Sequence, residues 1–387
     1  MIDQVGSACC GCGACANACP RGCIKMEKDQ EGFYSPVLNE AECVHCGLCQ
    51  KVCPQLGSES RNNEDIKETW ASISGNETIL RESSSGGLFT ELAKLVLSEG
   101  GLVYGAAFEE DYHSVHHICV DNLEELKYLR GSKYLQSKTG NVYSEIKSAL
   151  TEGRKVLFSG TPCQVAGLRK YLGKEYTELL LVDVICHGIP SPELWNEHLS
   201  SLEEKNESKA GFVNFRHKER GWNEYGMYIS FKNGKEYFKV LREEPYMKLF
   251  LLNCALKESC YQCRTKENGS FADITIGDFW GVENVEQDLN TKLGVSLALI
   301  HTEKGKEFFK RLPKNMVIKK TDYEKAVSYN TSVYLASKRP AERDRFYQDQ
   351  KALSWDKLQK KYLGDKTPFV RRVLRKVKRM LFKIIGR

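Results

Sequence analysis

No stretch of this 387-residue sequence approaches the roughly 18 consecutive apolar residues needed to cross a bilayer, and the mean hydropathy is −0.46. A transmembrane span is therefore excluded. The opening residues, MIDQVGSACCGCGAC, lack a basic segment followed by an apolar one, so no secretory signal is expected. The body also lacks any surplus of positive charge. Of 57 Lys and Arg, eight fall in residues 369–387, which leaves 49 basic against 51 acidic residues elsewhere. A nucleic-acid-binding face would spread basic residues through the folded part, so no nucleic-acid partner is expected.

What the sequence has in quantity is cysteine, 16 in all. With no secretory signal these belong to a reducing, cytoplasmic setting, where thiolates bind metals more readily than they form disulfides. Cys9-x2-Cys12-x2-Cys15-x3-Cys19-Pro20 is repeated as Cys43-x2-Cys46-x2-Cys49-x3-Cys53-Pro54. Two-residue gaps let three thiolates of one loop meet three corners of an iron–sulfur cube, while the fourth cysteine, followed by Pro, ligates the other cube. This assigns Cys9, Cys12, Cys15 and Cys53 to one 4Fe-4S cluster and Cys43, Cys46, Cys49 and Cys19 to a second. A pair of structural zinc sites would give no reason for the crossed spacing. Cys10 and Cys23 stand outside the repeat and read as packing cysteines. So short a segment has little apolar surface to bury, so its folding should be coupled to cluster insertion.

Residues 57–65 (GSESRNNED) read as a linker, after which strands and helices alternate. Ser83-Ser84-Ser85-Gly86-Gly87 precedes LFTELAKLVLSEGG, whose Leu88, Leu92, Leu95 and Val96 recur at helical spacing, and LVYGAAF then reads as a strand. A Ser/Gly loop opening a helix either cradles an anion or merely caps the helix. Lys155 to Phe158 is a short strand leaving through Gly160-Thr161-Pro162-Cys163, QVAGLRKYL a helix, and LLLVDVI a strand running into Cys186-His187-Gly188. Ala272 to Ile276 is a further strand, ending at Gly277-Asp278-Phe279-Trp280-Gly281. Cys163, Cys186 and Asp278 would thus sit at carboxyl ends of strands, where ligands bind in open α/β sheets. Cys260-x2-Cys263 could join Cys163 and Cys186 in a third cluster, with Cys254 as a substitute member, or all could be buried structural cysteines. Cys119 has no motif around it. In residues 369–387, Val370, Val373, Leu374, Val377, Leu381 and Ile384 form one apolar stripe among Lys and Arg. That is the form of an interfacial helix at the inner face of a membrane, or of a helix docked on the body or a partner.

The run of Ser84 to Gly87, Gly131-Ser132-Lys133-Tyr134-Leu135-Gln136-Ser137, Gly160 to Gln164, Cys186 to Gly188, the Cys260/Cys263 pair and Asp273 to Gly281 resembles the beta-subunit family of coenzyme F420 hydrogenases and dehydrogenases, over residues 1–335. Relatives in that family include the plant enzyme that reduces 7-hydroxymethyl chlorophyll and bacterial proteins found with surface-polysaccharide genes. The resemblance implies FAD near Ser85, Gly86, Gly87, Ser132, Lys133, Tyr134 and Ser137, and a core 4Fe-4S cluster on Cys163, Cys186, Cys260 and Cys263. The expected fold is α+β, with a two-cluster ferredoxin-like domain over 1–57, a larger α/β flavin-binding core over 66–335, and a helical tail over 336–387 ending in the amphipathic helix.

Clusters move single electrons and a flavin can accept one or two and pass a hydride, so such a chain converts between the two regimes. The expected function is an FAD-dependent oxidoreductase that takes electrons from a ferredoxin-like donor and reduces a small-molecule or lipid-linked substrate, in surface polysaccharide biosynthesis. The alternatives are an electron-transfer subunit serving coenzyme F420 or a partner protein, and a scaffold with structural clusters. Nothing in the sequence recognisably binds nickel or molybdenum. His187, His217 and Asp278 are the candidate catalytic residues. The stretch Phe215 to Trp222 either meets an anionic substrate or forms a surface turn.

Overall fold

The computed structural model describes residues 2–56, 68–267 and 269–364. The linker expected over 57–65 and the amphipathic stripe of 369–387 lie outside the described residues. The N-terminal domain is built from cysteine-bearing loops around one hairpin, β1 (Ile24–Lys28) paired antiparallel with β2 (Tyr34–Leu38). Short helices Ala14–Ala18 and Leu48–Lys51 each begin at a glycine with positive φ, Gly13 and Gly47. Its own apolar cluster is small, formed by Ile2, Val5 and Ile24 with cysteines packed around them.

The core strands are β3 (Glu68–Ile73), β4 (Leu102–Phe108), β5 (Val115–Val120), β6 (Ser137–Lys138), β7 (Val156–Gly160), β8 (Leu179–Val184), β9 (Ala210–His217), β10 (Gly226–Phe231), β11 (Glu236–Val240), β12 (Ile274–Asp278), β13 (Ser296–Ile300) and β14 (Val317–Lys320). Nine of them form one mixed sheet in the order β14-β3-β13-β12-β8-β7-β4-β5-β6. Its centre, β12, β8, β7 and β4, is parallel, so the carboxyl ends of these four strands share one edge. Burial on both faces explains their near-continuous apolar sequence. Along β8, Leu179 and Leu181 face the helices Val142–Thr151 and Pro162–Leu172, while Leu180 and Val182 face Leu88–Ser98 and Glu303–Lys310. That is the two-residue alternation of a pleated strand with a core on each side.

A second, three-stranded antiparallel sheet, β11-β10-β9, packs with the helix Pro192–Asn206. The helices Arg343–Ala352 and Trp355–Leu363 close the same cluster: Phe346, Trp355 and Leu358 are buried with Trp195, Phe215 and Tyr246. The division expected at 335/336 therefore does not coincide with a break in packing. The apolar surface of β9 and β10 needs these C-terminal helices as its cover. No helix among the described residues is long and apolar enough to cross a membrane.

The N-terminal domain is bonded to the core at several points. The Gln136 amide accepts from Tyr34 N–H (2.7 Å) and donates to Tyr34 C=O (3.1 Å), standing in for a neighbouring strand beside β2. Thr139 donates to the Cys12 carbonyl (3.1 Å) and Asn17 to the Gly140 carbonyl (2.7 Å). Arg343 holds Glu31 through two hydrogen bonds of 2.6 Å.

Candidate functional site

Two cavities open among the N-terminal cysteines. One is lined by Cys9, Cys12, Cys15 and Cys53 together with Cys10. The other, about 70 Å³, is lined by Cys19, Cys43, Cys46 and Cys49 together with Cys23. The repeat is thus crossed in space, the fourth cysteine of each run reaching the cavity of the other. Among the described residues no group of three or more His, Cys, Asp and Glu side chains is placed to hold a single metal ion. Burial pushes Cys9 up to about 11 and Cys15 up to about 12. Such thiols become thiolates when a metal takes the place of the proton. Cys23 lies 3.2 Å from Cys19, sulfur to sulfur, and is buried in the apolar cluster of Ile2, Val5 and Ile24, as a packing cysteine would be.

The largest cavity among those described, about 280 Å³, lies at the carboxyl edge of the parallel strands. Its wall includes Ser83, Ser84, Ser85 and Gly87 before the helix Leu88–Ser98, Gly131 to Ser137, Ser159 to Thr161 at the end of β7, Cys186 to Ile189 after β8, and Ile276 to Asp278 of β12. Six of the seven residues implicated in flavin binding, Ser85, Gly87, Ser132, Lys133, Tyr134 and Ser137, therefore line one space. Gly86 lies behind them. A Cβ there would come within 2.2 Å of the Ser72 carbonyl and 2.6 Å of the Ser296 nitrogen, so glycine lets the loop press against β3 and β13.

The serines of this loop do not cap the helix. Gly87, with φ +84°, is the cap residue. The Ser84 hydroxyl is bonded to that of Ser132 (2.9 Å) and the Ser85 hydroxyl donates to the Val295 carbonyl (2.6 Å). Leu88 and Phe89 of the first helical turn, whose N–H groups have no partner inside the helix, are among the residues of the cavity wall. Such a terminus suits a phosphate-bearing cofactor. Lys133 does not present a free cation there. Its ammonium donates to the Tyr128 (2.8 Å) and Arg130 (2.9 Å) carbonyls, and burial brings it down to about 7.

Within the stretch Phe215 to Trp222, Glu219 and Arg220 do form an exposed turn, closed by the Gly221 N–H on the Lys218 carbonyl (2.9 Å), but the residues on either side of it point inward. Phe215, Arg216, Lys218 and Trp222 are all buried. Arg216 grips Asp278 with two hydrogen bonds (2.7 and 3.0 Å), bonds the Tyr134 hydroxyl (3.1 Å) and the Ser84 carbonyl (3.1 Å), and lies 3.8 Å over the Tyr225 ring. Lys218 donates to the carbonyls of Leu80, Ser85 and Leu293. These two cations staple the serine loop from behind. Phe215 and Arg216, neighbours in sequence, are both buried because β9 bulges there, and no regular period in the sequence announces it.

A bulge in β9, where Phe215 and Arg216 together stand opposite Met227, takes His217 out of the site: it is stacked on Tyr228 (4.7 Å) and edge-on to Phe238 (5.9 Å), and it does not line the cavity. Asp278 and His187 do line it. The Asp278 carboxylate accepts from Arg216 and from the Trp222 indole N–H (3.2 Å), so it holds these side chains in place. His187 pairs with Asn253 (2.7 Å), and burial holds its imidazole below the usual range.

Of the core cysteines, Cys163 opens the helix Pro162–Leu172, Cys186 follows β8, and Cys260 and Cys263 flank the end of a single turn, Glu258–Gln262. They lie within electrostatic range of one another: Cys186 acts on Cys163 and Cys260, and Cys263 on Cys186 and Cys260. Burial pushes Cys186 up to about 11. Cys254 is buried instead in the apolar cluster beneath the C-terminal helices, and Cys119 is exposed on β5.

Comparison with known proteins bears on both parts. Residues 153–326 match the family model for the C terminus of the coenzyme F420 hydrogenase/dehydrogenase beta subunit, and residues 8–56 match a 4Fe-4S dicluster domain. Residues 153–326 thus belong to the C-terminal domain family of the coenzyme F420 hydrogenase/dehydrogenase beta subunit. Together the two matches make the chain an iron–sulfur electron-transfer protein related to that subunit, with a ferredoxin-type N-terminal domain. Among solved structures, a chain of the F420-reducing [NiFe] hydrogenase complex from Methanosarcina barkeri aligns at 17% identity and a TM-score of 0.44, covering 78% of this chain and 94% of that one. At that score the likeness adds nothing to the family match. No curated protein matches the chain.

Proposed function

We propose that the chain carries electrons between the cysteine-lined cavities of its N-terminal domain and an FAD held in the large cavity, and from there to a deazaflavin such as coenzyme F420 or to a partner protein. The observation that carries this reading is the shared wall: Cys10 and Cys186 line the same cavity as the serine loop and Gly131 to Ser137. The family match favours this electron-transfer role over reduction of a lipid-linked sugar, for which only the resemblance speaks.

An iron–sulfur cluster supplies one-electron transfer, and a flavin supplies the exchange between one- and two-electron chemistry. Cys9, Cys12, Cys15 and Cys53 would hold one cluster, Cys19, Cys43, Cys46 and Cys49 a second, and Cys163, Cys186, Cys260 and Cys263 a third. The N-terminus of Leu88–Ser98 and the hydroxyls of Ser84 and Ser132 offer donors to a pyrophosphate. Arg216 and Lys218 fix that loop, and Asp278 fixes Arg216. His187, half-buried and hydrogen-bonded to Asn253, is the titratable imidazole at the cavity wall that could exchange a proton there.

The test is made on protein purified without oxygen. Acid extraction should release about one FAD per chain, iron should approach about twelve per chain at four for each cluster, and reduced coenzyme F420 should bleach the bound flavin. Protein that holds no flavin after reconstitution with FAD would end the reading of the large cavity.

A further inference from the structure

Two histidines border the large cavity, and their hydrogen-bonding needs differ. His187 has Asn253 at 2.7 Å. His117, on β5, is only 5% exposed, its ring stacked on Phe158 (centroids 5.4 Å apart) and its Nε2 3.2 Å from the Ser159 carbonyl. A carbonyl can only accept, so Nε2 carries the ring proton and Nδ1 keeps a lone pair. Nδ1 is buried and meets no hydrogen-bonding group of the protein. The Lys138 carbonyl also acts on the ring, but as an acceptor it cannot serve a lone pair. Burial holds the imidazole down to about 4, so it is neutral at ordinary pH and Nδ1 remains an acceptor. A buried acceptor without a donor is costly, and here it belongs to a side chain of the cavity wall.

We propose that His117 is a cofactor-contacting residue of this cavity, its Nδ1 accepting a hydrogen bond from an N–H group at the edge of one of the ring systems of FAD. The proposal rests on the reading of the cavity as the FAD site. The chemistry of the wall favours a ring edge here over a phosphate. A lone pair repels a phosphate oxygen and takes an N–H. Donors suited to phosphate belong to other parts of the wall, at Ser84, Ser132 and the N-terminus of Leu88–Ser98. Beside His117 the wall is small and apolar: Ala106 stands opposite it in the β4–β5 ladder, and Val115 lies two residues along the same strand face. Such a strip fits a flat ring, and one placed polar group fixes the ring's orientation. FAD carries two N–H groups of this kind, the imide of the isoalloxazine and the amino group of the adenine. His117 makes the contact as a neutral acceptor, and no proton or electron is transferred in it.

The experiment uses the full chain, purified without oxygen, stripped of flavin and titrated with FAD. Wild type is compared with His117→Phe, which keeps a ring against Phe158 and removes both nitrogens. With thermal melting unchanged, His117→Phe should weaken FAD binding about tenfold. Two analogues then locate the donor: FAD methylated at the imide nitrogen, and FAD whose adenine is replaced by purine without the amino group. The analogue that lacks the donating N–H should bind wild type about tenfold more weakly than FAD does, and should bind His117→Phe no more weakly than FAD does. If His117→Phe does not fold, nitrogen NMR of histidine-labelled wild type supplies the measurement. Nδ1 should resonate as an unprotonated nitrogen and shift when FAD binds, but not when the analogue lacking the donor binds. Equal FAD affinity in wild type and His117→Phe, losses with both analogues that are the same in the two proteins, or an Nδ1 signal that FAD leaves in place overturns the proposal, the lone pair then being served by an internal water. Failure of the underlying reading shows separately, as wild type that takes up no FAD.

Discussion

Asp183 shows how far a single residue can be moved from its ordinary chemistry by its place in the fold. It sits fully buried on β8, three residues before Cys186, and accepts from the Ser270 hydroxyl (2.7 Å). Burial pushes its carboxyl from 3.8 up to about 7. Between these values the unfolded chain has lost the proton that the folded chain retains, so the folded state binds more protons and stability falls as pH rises. The favourable contribution is complete below about pH 4 and gone above about pH 7. Asp183→Asn, which cannot ionise, should therefore gain on wild type across this window by on the order of 4 kcal/mol. Denaturant titrations at pH 5 and pH 8 check it, and an equal difference between the two proteins at both pH values would sink it. In the sequence the residue reads only as part of an apolar strand. Which polar groups share its burial depends on Ser270 and Thr275, nearly ninety positions away.

At the scale of elements, the serine loop and the helix Leu88–Ser98 form the best-defined part of the candidate site. The loop is fixed from several sides: Gly86 N–H donates to the Ser296 hydroxyl (2.9 Å), Ser74 N–H to the Gly86 carbonyl (2.8 Å), and Lys218 to the Ser85 carbonyl (2.8 Å). Gly86→Ala places a carbon against two backbone groups that cannot rotate away. It should cost about 3 kcal/mol and release FAD on gel filtration. Unaltered melting and flavin retention would show that the loop can shift at little cost. The helix and the loop were both legible in sequence, because apolar periodicity and glycine each act locally. The serines' partners were not, since Ser132 and Val295 come from elsewhere in the chain. Likewise Arg216 in β9 and Lys218 just after it are buried cations inside a stretch whose composition reads as solvent-exposed.

Taken whole, the molecule joins a domain with little apolar interior to one with a large core. Removing iron should separate them. Anaerobic chelation is expected to abolish hydrogen-exchange protection in residues 2–56 while the nine-stranded sheet keeps its own. Equal loss in both parts would show that the N-terminal domain's bonds to Gln136, Thr139 and Arg343 make the two cooperate in a single transition.

The sequence by itself determined the cysteine repeat, the helix after the serine loop, and the placing of Cys186 and Asp278 at strand ends and of Cys163 just beyond one. Each is a matter of spacing along the chain, and spacing survives without tertiary information. Only the tertiary structure decided that His217 leaves the site while Arg216 enters it, that residues 343–363 belong to the core, and that Cys10 touches both domains. These follow from which faces of distant elements meet, and a burial or a contact made across a hundred residues leaves no periodic trace in the sequence between them.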